Sequence, residues 1–308
     1  MFIIPTLIIL SMLVFGITRI IPGDLIDMMV SEQASYTEID RAQVEKSLGL
    51  DVPIYVQYTR WVSQIITKGD FGKSLWRGTS VTDDIIKRLP VTFELGVMAI
   101  IIALVIAFPV GILSALRQDT VADYIGRTVA VTGLSVPNFW IGTMVMVFPA
   151  IWWGWSPPVI YIPFKEDPLG NLLQFIIPAV IMGTSMAAII MRMTRTMMLE
   201  VLRQDYIRTA WAKGLRERVV VVRHALKNAM IPIITIIGLI IPTVVGGSVI
   251  MEQIFALPGM GRLVVSATFD RDYPVIIAVA LFISVAILLV NLLIDLSYAY
   301  LDPRIRYE

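Results

Sequence analysis

Residues 191–232, MRMTRTMMLEVLRQDYIRTAWAKGLRERVVVVRHALKNAMIP, form a basic segment between two long apolar segments. The segment contains nine of the 25 Lys and Arg residues of the chain and three acidic residues. Loops between membrane spans carry an excess of Lys and Arg when they face the cytoplasm. The segment is therefore predicted to be a cytoplasmic loop, and the rest of the chain is interpreted around it.

The apolar residues of this loop are spaced as on short helices. A helix interior loses about 1 kcal/mol when Gly replaces Ala, so Gly214 predicts the bend of a helix-turn-helix. A basic amphipathic loop lying on lipid is the alternative interpretation. Two sets of apolar residues recur at four-residue steps and each predicts one helical stripe: Met198, Leu202 and Tyr206, then Trp211, Leu215 and Val219.

Composition assigns the chain to the membrane proteins. Of the 308 residues, 57% are hydrophobic, and the mean hydropathy is +0.78. Several apolar runs approach the roughly 20 residues that a helix needs to cross a bilayer. The chain has no Cys and a single His, His224, so it offers no disulfide, no thiolate metal site and no Ser-His-Asp triad in its apolar body.

Hydropathy and charge together predict six membrane-spanning helices in an all-α polytopic protein. The basic residues collect in the loops at 117–127 and 192–231 and near the C-terminus, so both termini are predicted to be cytoplasmic. The spans are predicted at about residues 2–21, 92–116, 127–152, 172–191, 233–251 and 274–298.

The segment 22–91 is predicted to lie outside, with short helices at 38–48 and at 54–66, the second ending near Gly69. Its Gly72-Lys73-Ser74 triplet resembles the end of a phosphate-binding loop. That motif needs a Gly five residues before its second Gly, where this chain has Thr67, so no ATPase motif is predicted.

Several polar and small residues inside the spans have two interpretations. Ala99, Ala103, Ala107 and Gly111 recur at four-residue steps and predict a close helix–helix contact. Pro137 is predicted to loosen the third span. Glu94 and Asn138 are candidates either for a substrate path or for interfacial and interhelical hydrogen bonds. The glycine-bearing fourth and fifth spans are the main candidates for helices that border a path.

The run DYIRTAWAKGL, followed by RHALKNAMIP, resembles the cytoplasmic EAA loop of bacterial ABC-importer permeases in the dipeptide, oligopeptide and nickel branch. In that family the loop forms a coupling helix that docks on an ATP-hydrolysing subunit. This chain departs from the motif at Arg208, where the family has Glu, and at Lys227, where many members have Pro. The resemblance implies that the residues that contact the ATPase are Tyr206, Arg208, Thr209, Ala210, Trp211, Lys213, Gly214, Leu215, Val219 and Leu226.

Further stretches in the family's order extend the resemblance over nearly the whole chain. They are LVFGITRIIPGD, GDFGKS, the GxSVPxFW pattern from Gly133, the ExxFxxPGxGR pattern from Glu252, and LDPRIR near the C-terminus. The implied fold is the type I importer permease with a coupling helix. The implied division is a first transmembrane helix at 1–21, an extracytoplasmic segment at 22–91, and a five-helix core at 92–308 with its coupling loop at 192–231.

The resemblance also implies the function and the partners. The chain would be a permease in a bacterial or archaeal plasma (inner) membrane, paired with a homologous permease, two cytoplasmic ATPases and an external substrate-binding protein, and without nucleic acid. It would not be an enzyme and would need no cofactor or metal of its own, since ATP and Mg²⁺ are bound by the ATPases. The residues that would line its translocation path are Glu94, Ser135, Asn138, Thr184, Ser248 and Glu252.

Peptides are the substrate that this resemblance predicts, and nickel and oligosaccharides are the alternatives. An intramembrane enzyme would need a catalytic constellation within the spans, and the sequence shows none. A channel or ion-coupled carrier would need repeated charges at mid-membrane, whereas this chain has its charges near the ends of the spans.

Overall fold

The structure, a computed structural model, describes residues 3–20, 51–158 and 160–301. The predicted helix at 38–48, the PGD exit of the first span and the LDPRIR terminus from residue 302 onward lie outside the described residues. The helices of the described part are α1 (Ile3–Ile20), α2 (Ile54–Lys68), α3 (Val81–Leu116), α4 (Val121–Ser135), α5 (Asn138–Trp153), α6 (Pro168–Leu202), α7 (Asp205–Ala212), α8 (Glu217–Ile254), α9 (Met260–Phe269) and α10 (Tyr273–Leu301).

The described residues are all-helical apart from loops and an isolated bridge between Lys73 and Ser80. Among them, α3, α6, α8 and α10 are long and apolar enough to cross a membrane. Helices α4 and α5 would together make a fifth span. The all-α membrane class is thus confirmed with four to five candidate spans.

Most of the long helices extend further than the predicted spans, and α3 and α6 are examples. Helix α3 begins at Val81, within the segment that was expected to lie outside the membrane. Helix α6 continues to Leu202, so the first part of the basic loop is helical. A helix can run on past the apolar stretch because its backbone hydrogen bonds do not depend on hydrophobic side chains.

The third predicted span is broken rather than loosened. Helices α4 and α5 meet at an angle of 86°. Pro137 lacks a backbone N–H, and its ring keeps the preceding residue out of the helical region. Val136 is accordingly extended, with φ −96° and ψ 122°, and α5 starts directly after Pro137.

The chain divides into two compact units. One contains Met1–Lys87 and Val264–Ala286, and the other contains Arg88–Leu263 and Ile287–Glu308. Within the first unit, α1 packs on α2 through the ring of Phe15, whose centroid lies 5.6 Å from that of Tyr58 and 5.5 Å from that of Trp61. Helix α2 ends at Gly69, whose φ of 63° is the left-handed conformation that Gly adopts at low cost, as predicted.

A short loop after α2 is held by the turn before α10, still within the first unit. The hydroxyl of Ser74 and the backbone N–H of Leu75 both donate to the buried carboxylate of Asp272. The indole of Trp76 donates to the carbonyl of Asp270 at 2.5 Å. The Gly-Lys-Ser triplet is therefore part of a structural loop.

The second unit has a core built on close helix contacts. Ala99, Ala103 and Ala107 of α3 are fully buried. A Cβ on Gly183 of α6 would lie 2.8 Å from the carbonyl oxygen of Ala99, and a Cβ on Gly111 would lie 2.9 Å from that of Met191. The predicted small-residue contact is therefore confirmed, and it joins α3 to α6.

Candidate functional site

The first candidate site is residues 203–226, called the docking segment here because the sequence resemblance predicts that it contacts an ATPase. Its first sixteen residues, 203–218, are exposed except for Ile207 and Ala210. They comprise α7, a turn at Lys213–Arg216 and the start of α8. Gly214 has a φ of 72°, so the predicted bend is present at this residue. A helix-turn-helix projects from the second unit in place of a single rod.

Helix α7 is amphipathic, and some apolar side chains on it and in the turn after it are exposed to solvent. Ile207 and Ala210, three residues apart, are 0% and 6% exposed and attach α7 to the protein. Tyr206, Trp211 and Leu215 are 44%, 43% and 36% exposed. Apolar side chains presented this far into solvent beside basic residues indicate a surface that another molecule covers.

The two predicted stripes of four-residue steps are wrong as helical stripes. Helix α6 ends at Leu202, and Gln204 is extended with φ −73° and ψ 148°, so Tyr206 lies on a different helix from Met198. Leu215 likewise lies in the turn between Trp211 and Val219. Met198 is fully buried, whereas Tyr206 is exposed.

The start of α8 contains a π-helical turn, Val220–Leu226. Val220, Val221 and Ala225 face the protein, and Val222 is exposed. Such turns occur frequently at functional sites because the extra residue shifts the side chains that follow it. Nothing in the spacing of VVVVRHAL distinguishes this turn from an ordinary helix.

The second candidate site is a cleft of about 160 Å³ within the second unit. Its polar side chains are Asn138, Ser185 and Thr243, and its remaining lining is apolar, including Met182 and Ile240. The hydroxyl of Ser185 on α6 donates to the Asn138 amide oxygen at the start of α5. The break at Pro137 thus brings Asn138 to a cleft bordered by α4, α5, α6 and α8.

The other hydroxyl candidates for the path do not line this cleft. Ser135 and Thr184 donate to carbonyls of their own helices, those of Val131 and Val180. Ser248 is buried and donates to the carbonyl of Val245. Ser185 and Thr243 are the cleft residues that sequence reasoning missed, although Ser185 lies in the Gly-Thr-Ser run of the fourth span.

Glu252 lies beneath the turn before α9 and not in the cleft. It is fully buried, and its carboxylate accepts from the Thr92 hydroxyl at 2.7 Å and from the backbone N–H of Arg262 at 3.0 Å. Thr92 in turn accepts from the backbone N–H of Met260 at 2.8 Å. Glu252 therefore fixes the Pro-Gly-Met-Gly-Arg turn at the start of α9, where a negative charge is favourable.

Glu94 has a partner on α6, Asn171, which in turn binds the loop before α6. Its carboxylate lies 3.5 Å from the side-chain nitrogen of Asn171, which also donates to the carbonyl of Ile162. Burial, followed by the charges of Glu94 and Glu166, raises the pKa of the nearby Tyr161 phenol. Glu94 thus belongs to a polar cluster that fastens the 154–167 loop.

An ion pair that the sequence analysis missed joins three helices of the second unit. Asp123 on α4 is fully buried and bonds Arg195 on α6 at 2.7 and 2.8 Å. Ser114 on α3 donates to the same carboxylate. In the sequence, Arg195 is one of the basic residues of the loop at 192–231. Its partner Asp123 is 72 residues away, and one sequence gives no sign that the two residues pair.

Comparison with known proteins places these features in a family. The family described as the binding-protein-dependent transport system inner membrane component matches residues 107–307, and the N-terminal component of the same kind of system matches residues 2–96. The oligopeptide transport system permease protein AppB of Bacillus subtilis is 42% identical, with 99% of this chain and 96% of that protein covered. The dipeptide transport system permease protein DppB of Escherichia coli K12 is 39% identical over the same shares.

Solved structures agree on the fold. An inward-facing structure of the MetNI methionine ABC transporter gives a TM-score of 0.57 at 17% identity, covering 71% of this chain and 96% of that one. An amino acid ABC transporter gives a TM-score of 0.52 at 14% identity, covering 70% and 92%. With the helical spans, the projecting docking segment and two family matches along its length, the chain belongs to the family of binding-protein-dependent transport system inner membrane components.

Proposed function

We propose that this chain is a transmembrane subunit of an ATP-driven ABC importer for di- and oligopeptides. The observation that carries the proposal is the similarity at about 40% identity over 99% of the chain to permeases named for oligopeptide and dipeptide transport. The importer would contain a second, homologous permease, two cytoplasmic ATPases and an external substrate-binding protein. ATP and Mg²⁺ would be bound by the ATPases, and this chain would carry no cofactor.

The docking segment is proposed as the coupling element. Its exposed apolar side chains Tyr206, Trp211 and Leu215 suit an apolar groove on the ATPase, and the surrounding Arg and Lys residues suit the polar rim of such an interface. Ile207 and Ala210 hold α7 to the protein. When ATP closes the ATPase dimer, α7 would move with it and displace the inner ends of α6 and α8.

The cleft at Asn138 is proposed as part of the translocation path. Helices α6 and α8, which were predicted to border a path, both contribute to it. Alternating access needs helices with two stable arrangements that ATP and the loaded binding protein favour differently. The break between α4 and α5 provides a place where such a rearrangement can occur without disrupting a continuous helix.

The proposed topology has six spans with both termini in the cytoplasm. Helix α1 would be the first span, and the pair α4–α5 the third. Residues 22–91 would lie outside apart from the start of α3, and residues 192–231 inside. The basic docking segment supports this orientation.

Cysteine labelling tests the topology, because the natural chain has no Cys. Single Cys substitutions at Ser47, Lys165 or Arg262 should react with an impermeant thiol reagent added outside sealed cells. Substitutions at Gln118, Lys213 or Arg304 should react only after the membrane is opened. Labelling of Lys213→Cys from outside would contradict both the orientation and the coupling role.

Substitutions in the cleft test the path. Asn138→Leu removes the acceptor of the Ser185 hydroxyl and one of the polar groups of the cleft, so peptide uptake should fall about tenfold while assembly and basal ATP hydrolysis persist. Glu94→Gln should alter substrate preference if Glu94 also faces the path. Thr143→Val is the matched control, since Thr143 is exposed on α5 and donates to the carbonyl of Phe139. Uptake unchanged across several peptides would remove both residues from the path.

The proposed function itself is tested by reconstitution. The complex in lipid vesicles, supplied with its binding protein and with ATP inside the ATPase-facing compartment, should take up labelled di- and tripeptides. The same vesicles should not take up nickel or maltotriose. Uptake of either of these in place of peptides would overturn the substrate assignment.

A further inference from the structure

Both carboxylate oxygens of Asp123 accept hydrogen bonds. Oδ1 accepts from Arg195 Nε at 2.8 Å and from the Ser114 hydroxyl. Oδ2 accepts from Arg195 Nη2 at 2.7 Å and from the backbone N–H of Asp119 at 3.1 Å. The two-point contact of a guanidinium with a carboxylate fixes both the distance and the angle between α4 and α6.

A buried ion pair is by itself weak evidence for stability. Removing two charges from water costs most of what their attraction returns, and apolar side chains of similar volume often serve a buried site as well or better. Helices α3 and α6 already approach closely beside the pair, since a Cβ on Gly111 would lie 2.9 Å from the carbonyl oxygen of Met191. What the ion pair adds to that packing is a defined orientation.

The two partners lie on the elements that a coupling movement must join. Arg195 is seven residues, about two turns, before Leu202, where α6 ends ahead of α7. Asp123 is in the first turn of α4, whose other end is about 18 Å away, just before Asn138. A helix is stiff over such lengths, so a displacement at one end reaches the other.

We propose that Asp123 and Arg195 are a positioning pair that transmits movement of α7, through α6 and α4, to the cleft at Asn138. The proposal rests on the function proposed above, in which the ATPases move α7. Ser114 and the N–H of Asp119 hold the carboxylate so that the force acts on α4 as a whole. The pair contacts no substrate and acts through the helices that it joins.

The test uses the assembled complex with spin labels at Val131→Cys on α4 and Leu239→Cys on α8, two exposed positions on helices that border the cleft but outside its lining. In the otherwise unchanged complex, ATP should shift the distance between the labels. The decisive variant is Asp123→Leu with Arg195→Met, which leaves no uncompensated buried charge. It should assemble and hydrolyse ATP within about twofold of the parent rate, lose the label shift, and carry at least tenfold fewer peptides per ATP.

Two further variants sharpen the test. Arg195→Lys keeps the charge but loses the two-point contact, so peptides carried per ATP should fall several-fold. Arg127→Met is the matched control, because Arg127 is exposed on α4 one turn beyond Asp123, and it should keep both the label shift and the transport ratio. Asp123→Asn alone would leave the Arg195 charge without its carboxylate partner, so this single variant could fail to assemble for that reason. The double variant has no such charge, and its label shift and transport ratio decide the test.

The outcomes separate this proposal from the function on which it rests. A label shift and a transport ratio at the parent level in the double variant would overturn the positioning role and leave a structural one. A label shift that responds to ATP and depends on the pair, in a complex that carries no peptide, would support the pair and contradict the substrate. No shift in a parent complex that still takes up peptides would overturn the positioning role and leave the proposed function standing.

Discussion

Gly214→Val should abolish co-purification of the ATPase subunits with this chain while leaving the spans folded and inserted. Gly214 has a φ of 72°, and a Cβ built on it meets nothing within 4 Å. The expected effect is therefore purely conformational. A left-handed backbone costs an ordinary L-residue about 1–2 kcal/mol, and a β-branched one more, so the turn would change and the two arms would point elsewhere.

Gly214→Asn separates this effect from simple bulk. Asn is larger than Gly but adopts the left-handed conformation far more readily than Val, so it should keep co-purification and at least half of the transport rate. Binding of the ATPases measured by quantitative pull-down from detergent gives the comparison. Normal pull-down and transport with Gly214→Val would contradict the coupling role of the turn.

Trp211→Asp and Leu215→Asp should each weaken ATPase binding by about a hundredfold, equivalent to about 3 kcal/mol at an interface centre. Both side chains are partly exposed in the isolated chain, 43% and 36%, so a charge there should not disturb its folding. In the complex the charge would be buried in an apolar contact without a partner. Titration of labelled ATPase against the permease in lipid nanodiscs measures the loss.

Val121→Asp is the matched control for these two substitutions. Val121 is an exposed apolar residue at the first position of α4, also on the predicted cytoplasmic side, and an acid is favourable at a helix N-terminus. It should bind the ATPase as the parent chain does. Equal losses for all three variants would indicate a general effect of negative charge near the membrane and not a docking surface.

Features set by local chemistry could be predicted from the sequence. The apolar runs predict the long helices, and the Ala and Gly residues of α3 predict its contact with α6. Gly214 predicts the turn in which it lies, because the left-handed backbone conformation of that turn favours Gly. Each of these properties depends on the residue types within a short window.

Features set by contacts between distant residues could not be predicted. The 86° break at Pro137 needs neighbouring helices to fix its direction. The four-residue spacing of apolar residues continues across Gln204, although α6 ends at Leu202 and α7 begins only at Asp205. One sequence cannot show whether an acid such as Glu252 lines a path or serves a structural role. Only the fold brings Thr92 and Arg262, its hydrogen-bond partners, to it.

The site predictions divide in the same way. The docking segment is contiguous, so its residues could be named together, although the buried Ile207 was not among them. The cleft is assembled from α4, α5, α6 and α8, and of its polar residues only Asn138 was expected. A cavity between helices is a property of their packing and has no periodic signature.

The central claim is that the docking segment contacts the ATPase, and cross-linking from one position tests it most directly. Lys213→Cys, at an exposed position beside Gly214 in a chain with no other Cys, would carry a photoactivatable group of short reach in the assembled importer in native membranes. Illumination should join this chain to an ATPase subunit, with a yield that changes when ATP is bound. Cross-links to lipid alone, unchanged by ATP, would contradict the claim and identify the segment as a helix on the membrane surface.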